Sequence, residues 1–167
     1  SADLKSLLCF QVERARALLR EAGVTTPFPV ELTVPNNPDL RQVGEVIQSM
    51  AAEAGFAVTL RAMEFASSLQ AATRGEFQTY LVGWSGRVDP DGNSYIFHKC
   101  KAPQNNGNYC DKEVDQWLDD ARKVNKLEER KAIYGKMADK YLKEGSIIYL
   151  YHRLVIIAHS AKLEGYA

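Results

Sequence analysis

The chain has 167 residues, 46% hydrophobic and 25% charged, which is enough for one core-forming domain of ordinary soluble composition. Lys plus Arg and Asp plus Glu both number 21, and the resulting zero net charge argues against a nucleic-acid partner. No apolar run approaches the ~20 residues that span a bilayer, and the longest, Leu154 to Ala158, is strand-sized.

The start, SADLKSLLCF, has neither a basic n-region with a long apolar core nor a cleavage site. With no Met, Ser1-Ala2 reads as a cloning remnant, and a targeting segment is expected to have been lost with it. Val12, Ala15, Leu18, Leu19 and Ala22 then recur at helical spacing, closed by Gly23. Pro27 and Pro29 break the pattern, and VELTV over 30–34 reads as a strand. The next helix is the clearest: Asn37 as cap, Pro38 at the first position, Asp39 toward the dipole. Its apolar face is Val43, Val46, Ile47, Met50, Ala51 and Ala54, and Gly55 ends it. A strand from Phe56 to Met63 follows, then a short helix with Phe65, Leu69 and Ala72 that stops at Gly75. FQTYLVGW reads as a third strand, so the order predicts an α/β layer with crossover connections.

The second half is mostly helical. Asp111 caps a helix with Val114, Trp117, Leu118, Ala121 and Val124 inward. LEERKAIYGKMADKYLKEG forms another, burying Ile133, Met137, Tyr141 and either Tyr134 or Leu142, with Gly145 at its end. IIYLYHRLVIIAHS is rich in β-branched residues and tyrosine, so it reads as a strand, broken near His152-Arg153.

Catalytic patterns fail one by one. Gly83-Trp84-Ser85-Gly86 follows a strand, but a nucleophile elbow needs glycine two residues past the serine, where Arg87 stands. Asp89, Asp91 and Asn93 alternate as in a calcium loop, yet the sixth position is Ser94 and the twelfth Cys100. DPDGN is better read as a turn, with Pro90 fixing φ and Gly92 permitting a positive one. A thiol enzyme would use Cys100 or Cys110 with His98, which shares a strand face with Cys100 if that segment is extended. Zinc spacings and phosphate loops are absent from the sequence, so neither metal nor cofactor is expected and a binding protein is favoured over an enzyme. Cys9 is remote; Cys100 and Cys110 enclose a polar loop that either closes as a disulfide in an oxidising compartment or leaves two thiols. A bridge across so short a loop would contribute roughly 2–3 kcal/mol in the chain-entropy account.

Five segments in order, ERARALLREAG, AAEAGFAVTL after a Pro-started helix, FQTYLVGWSGRVDPDGN, NYCDKEVDQWLDDAR and ERKAIYGKMADKYLKEGSIIYLYHR, then make the chain recognisable. It resembles the C-terminal lobe of extracytoplasmic solute-binding proteins of the peptide/nickel class, which serve ABC importers. The resemblance runs from Val12 to Tyr166. It implies that residues 1–167 are a single lobe of a two-lobed, type II periplasmic-binding-protein-like α/β fold, with a central mixed sheet flanked by helices. It also implies a periplasmic or other extracytoplasmic location, a Cys100–Cys110 bridge, and as partners a small ligand or peptide, a membrane permease and the missing N-terminal lobe of the same chain. The chain's end at Glu164-Gly165-Tyr166-Ala167 falls about where such a chain returns to its other lobe.

By position, the resemblance puts Gly83, Trp84, Ser85 and Gly86 on the cleft wall, bonding a ligand through the backbone as an added strand does, with Arg87, Asp89 and Asp91 at the rim. Dipeptide-binding relatives carry an aspartate three residues past the tryptophan, where this chain has Arg87 in a loop one residue shorter; Asp89 can stand in only if realigned. They also carry an arginine before the proline ending the first strand, where this chain has Val34. Both departures count against an ordinary zwitterionic dipeptide, and Arg87 favours an anionic group. Peptides, glutathione-like compounds, opines, sugars and metal chelates are all carried by proteins of this general look. The rival readings are the thiol enzyme already described and an interaction domain that pairs with itself through an apolar face.

Overall fold

The computed structural model describes residues 11–154, 156–160, 162–163 and 165. Ser1, Ala2, Cys9 and the terminal Glu164, Tyr166 and Ala167 therefore lie outside the described residues, as does Val155 within the last apolar segment.

The first half builds a sheet. Helix α1 (Val12–Glu21) buries Leu19 and leads into β1 (Phe28–Pro35), whose last four residues are all buried. Helix α2 (Pro38–Glu53) starts as read: the Asn37 side chain accepts from Leu40 N at 3.1 Å and proline opens the first turn. Strand β2 (Phe56–Met63) then pairs with β1 along its full length, from Phe28↔Phe56 to Pro35↔Met63. Helix α3 (Phe65–Thr73) is capped by Glu64, which accepts from Ser67 N at 2.9 Å, and returns the chain to β3 (Thr79–Tyr80).

The strand order is β2-β1-β3. Both pairings are parallel, which requires the crossovers that α2 and α3 supply. A mixed sheet was expected, and among the described residues the sheet is parallel throughout. β1 is central, so Leu32 and Val34 meet Leu81 in a core covered by Leu40, Val43 and Ile47 from α2 and by Val58 and Leu60 from β2. Val46 and Met50, expected on the same buried face of α2, are 53% and 40% exposed.

FQTYLVGW is a strand for a shorter distance than its composition suggests. After Thr79 and Tyr80, only Leu81 N still bonds β1, to Thr33 O at 2.9 Å. β1 is about to end at Pro35, which has no N–H to offer a ladder, so the chain past Leu81 leaves the sheet.

The second half is helical: α4 (Asp91–His98), α5 (Lys112–Ala121) and α6 (Leu127–Glu144). α4 is a correction to the turn reading of DPDGN. Pro90, with φ −54°, already has helical backbone and Asp91 places an acid in the first turn, so residues that favour a turn serve equally as a helix start. α5 begins as expected, with Asp111 Oδ1 accepting from Glu113 N and Val114 N, both at 2.9 Å. Val114, Leu118 and Met137 form a second core, ringed by Tyr95, Tyr109, Trp117, Tyr134 and Tyr141.

The last apolar segment is not a strand where it is described. None of the three strands pairs with it, and Ile148, Leu154 and Ile156 are each more than four-fifths exposed. β-propensity cannot make a strand without a neighbouring edge to bond.

Candidate functional site

Where β3 leaves the sheet, the loop to α4 carries every residue assigned to the cleft by sequence except Asp91, which opens α4. Gly83, Trp84 and Ser85 are exposed and Gly86 is half-buried. Gly86 has φ +76°, a backbone conformation that costs glycine little and other residues more. The positive φ of this loop therefore falls at Gly86, not at Gly92, which lies inside α4.

Asn93 organises the loop. Its Oδ1 accepts from Trp84 Nε1 at 3.0 Å and from Arg87 N at 2.7 Å. Its Nδ2 donates to Arg87 O at 2.7 Å and Asp89 O at 3.3 Å, so both donors and both acceptor positions of the amide are used. The indole is fixed further by Phe97, edge-on with ring centroids 5.1 Å apart. Arg87 lies over the same indole with Cζ 4.5 Å from the ring centroid, a cation–π contact.

The two acids are placed differently from Arg87. Asp91 takes a fork from Arg122, with Nε at 2.7 Å and Nη2 at 2.8 Å, and that guanidinium also covers the Tyr95 ring. Asp89 takes both Nη atoms of Arg130 at 2.7 Å and accepts from Asp91 N at 2.8 Å. These bonds from Arg130 and the Asp91 amide hold the Asp89 carboxyl at a pKa of about 2. Arg130 also donates to Ala121 O at 3.2 Å, at the end of α5. A polar depression of about 380 Å³ lies beside these pairs, lined by Asp89, Asp91, Arg122, Asn125 and Arg130 among others.

Asn93, Arg122 and Arg130 had not been singled out as partners of this loop. Asn93 had been weighed only as a calcium ligand. Arg122 and Arg130 lie 31 and 41 residues from their acids, a separation that leaves no local pattern. The available clue was two acids in a loop of turn-forming residues, which need cations if they are to rest against protein.

The thiol reading fails on geometry. Cys100 and Cys110 are joined in a disulfide, so neither is a nucleophile. His98 ends a helix and does not share a strand face with Cys100. It is 1% exposed, stacks on Tyr141 with centroids 4.0 Å apart, and its Nε2 bonds the Tyr149 hydroxyl at 2.9 Å. Burial lowers its pKa to about 4 and keeps it neutral near pH 7. Inside the disulfide loop, Asn105 donates to Lys99 O and Tyr109 O and accepts from Tyr109 N, so the loop is ordered by its own amide.

Val34, which stands where relatives were read as carrying an arginine, is fully buried in the sheet core. It lines no cleft.

Comparison with known proteins gives this geometry a family. The family described as "Bacterial extracellular solute-binding proteins, family 5 Middle" matches residues 2–106. The dipeptide-binding protein of Escherichia coli (strain K12) is 30% identical over 93% of this chain, which spans 29% of that protein. Di/tripeptide-binding protein 4 of Pseudomonas aeruginosa (strain UCBPP-PA14) is 34% identical over 73% of the chain, or 24% of its own length. Among solved structures, the ABC transporter-associated periplasmic binding protein DppA from Helicobacter pylori, in complex with peptide STSA, superposes with a TM-score of 0.72 at 25% identity. That match covers 81% of this chain and 27% of DppA. The chain thus spans less than a third of each of these three proteins, and within that span it belongs to the bacterial extracellular solute-binding proteins of family 5.

Proposed function

We propose that this chain is the C-terminal, ligand-binding lobe of an ABC-importer solute-binding protein, which captures a short peptide or another small solute outside the cytoplasm and hands it to a membrane permease. The observation that carries this reading is the relationship to a dipeptide-binding protein over nine-tenths of the chain. It is joined to an exposed, internally braced segment, Gly83 to Arg87, at the mouth of a parallel sheet. Open α/β sheets bind ligands outside the carboxyl ends of their strands, which is where this segment leaves β3.

On this reading the lobe acts by binding. The backbone of Gly83–Gly86 lies along the solute as an added strand would, Trp84 offers an aromatic face, and Arg87 stands at the rim. The rest of the chain supplies the opposing lobe, and closure is a hinge motion selected by contacts on both sides. An isolated lobe holds half of those contacts and binds weakly. Its exposed Val88, Ile148, Leu154 and Ile156 would then favour pairing of copies.

Native mass spectrometry on the full-length protein, purified from its exported form, tests the reading. A small molecule retained through purification and lost on denaturation is the expected result. A protein that carries no solute, and whose melting temperature is raised neither by a di- and tripeptide library nor by a panel of glutathione-like compounds, opines, sugars and metal chelates, would sink it.

A further inference from the structure

Charge on the loop after β3 is distributed unevenly. Asp89 and Asp91 each face a two-pronged guanidinium, so neither carboxylate is left to receive an ammonium group from a ligand. Among the described residues, Arg87 bonds only neutral oxygens: Nη1 donates to Ser85 Oγ at 3.3 Å and to Gly86 O at 2.8 Å. Its Nε–Nη2 edge, on which arginine takes both oxygens of a carboxylate, makes no hydrogen bond among the described residues.

The side chain is also held in a pose. Its head lies on the Trp84 ring, which Asn93 and Phe97 fix in turn. Its stem packs on Gly92, where an added Cβ would come within 2.9 Å of both Cβ and Cγ of Arg87. These are the near atoms of the arginine and cannot swing aside cheaply. A long cation ordered before binding loses less entropy when it binds.

We infer that residues 84–93 form a preassembled cationic recognition element, in which Asn93 and Gly92 set the pose of Arg87 on Trp84 and Arg87 receives a carboxylate of the solute. The inference rests on the reading of Gly83–Arg87 as cleft wall. Arg122 and Arg130 take part as positioning residues, because by pairing with Asp91 and Asp89 they leave the loop's local charge positive.

Titration calorimetry on the full-length protein with three alanine dipeptides separates the charges: N-succinyl-Ala-Ala, Ala-Ala and Ala-Ala amide. The wild-type protein binds the succinyl peptide tighter than the amide. Arg87→Ala shrinks that ratio by about 10- to 100-fold, the range expected for hydrogen bonds to a charged group. Arg87→Asp reverses the order. Gly92→Ala, whose added Cβ would press on the Arg87 stem, shrinks the ratio by weakening the succinyl peptide while leaving affinity for the amide unchanged, whereas a purely structural role would weaken both peptides alike. An unchanged ratio in Arg87→Ala, with the probes still bound, overturns the inference and leaves the solute-binding reading intact. If none of the three probes binds the wild-type protein, the cleft-wall reading and the inference fall together.

Discussion

Asp89 and Arg130 stand 41 positions apart in the chain and meet through two hydrogen bonds of 2.7 Å. The arginine comes from the first turn of α6, the aspartate from the loop that leaves β3, so one ion pair ties the candidate cleft wall to the helical half.

This contact has a pH signature. The Asp89 pKa is depressed in the folded state, so its stabilising contribution is complete above the ordinary aspartate value near 4 and is lost as pH falls toward about 2. Asp89→Asn should therefore lower Tm at neutral pH and flatten the difference between pH 4 and pH 2. Thermal melts of wild type and variant across that window check it. Parallel acid limbs would mean that the pair contributes nothing in solution, as many exposed pairs do.

His98 titrates in a different window. Its folded pKa is held near 4, below the unfolded value near 6.5, so protons bind preferentially to the unfolded chain between those limits. Stability is full above pH 6.5 and declines as pH falls to 4, by on the order of 3 kcal/mol. His98→Phe should keep the stacking on Tyr141, forfeit roughly 1 kcal/mol with the Tyr149 bond, and remove most of this pH dependence. Denaturant titrations at pH 7.5 and 5 provide the comparison, and an equal acid-dependent loss in both proteins would contradict it.

At Val34 the same residue type that looked like a missing ligand contact turns out to be core. Val34→Arg would not restore a carboxylate clamp, since it buries an unpaired charge between β1 and α2 at a cost on the order of 3–5 kcal/mol. The expected result is loss of soluble, cooperatively melting protein. A stable Val34→Arg protein with improved affinity for Ala-Ala would show the side chain reaching a ligand after all.

The Cys100–Cys110 bridge closes the end of α4 onto the start of α5. Replacing both cysteines by serine should lower stability by about 2–3 kcal/mol. A reducing agent should lower the Tm of the wild-type protein by a similar amount and leave the double variant unchanged. Equal sensitivity of both proteins to the reductant would place the effect elsewhere.

What could be read from sequence was what local spacing records. The cap of α2, the Val43 and Ile47 part of its apolar face, the Asp111 cap of α5 and the β1–α2–β2 order all follow from residues near one another in the chain. The bridge was one of two options for a cysteine pair until the family resemblance implied it. α4 escaped because Pro90, Asp91 and Gly92 suit a turn and a helix start alike. The last apolar segment misled because composition reports a preference for strands but not the presence of an edge to join. The pairing of Asp89 and Asp91 is invisible in the sequence because their partners stand 41 and 31 residues on, Arg130 in α6 and Arg122 at the end of α5.

The two arginines that hold the loop flank one surface turn, Arg122 just before residues 123–126 and Arg130 just after. The proposed cleft wall is thereby tied to a hairpin of helices as well as to the sheet it grows from. Lengthening or shortening that hairpin would shift the indole and guanidinium while every side chain of the proposed cleft wall stayed the same. On the proposed reading, selectivity would drift through insertions in a remote bend, a route that inspection of the proposed cleft residues alone would never reveal.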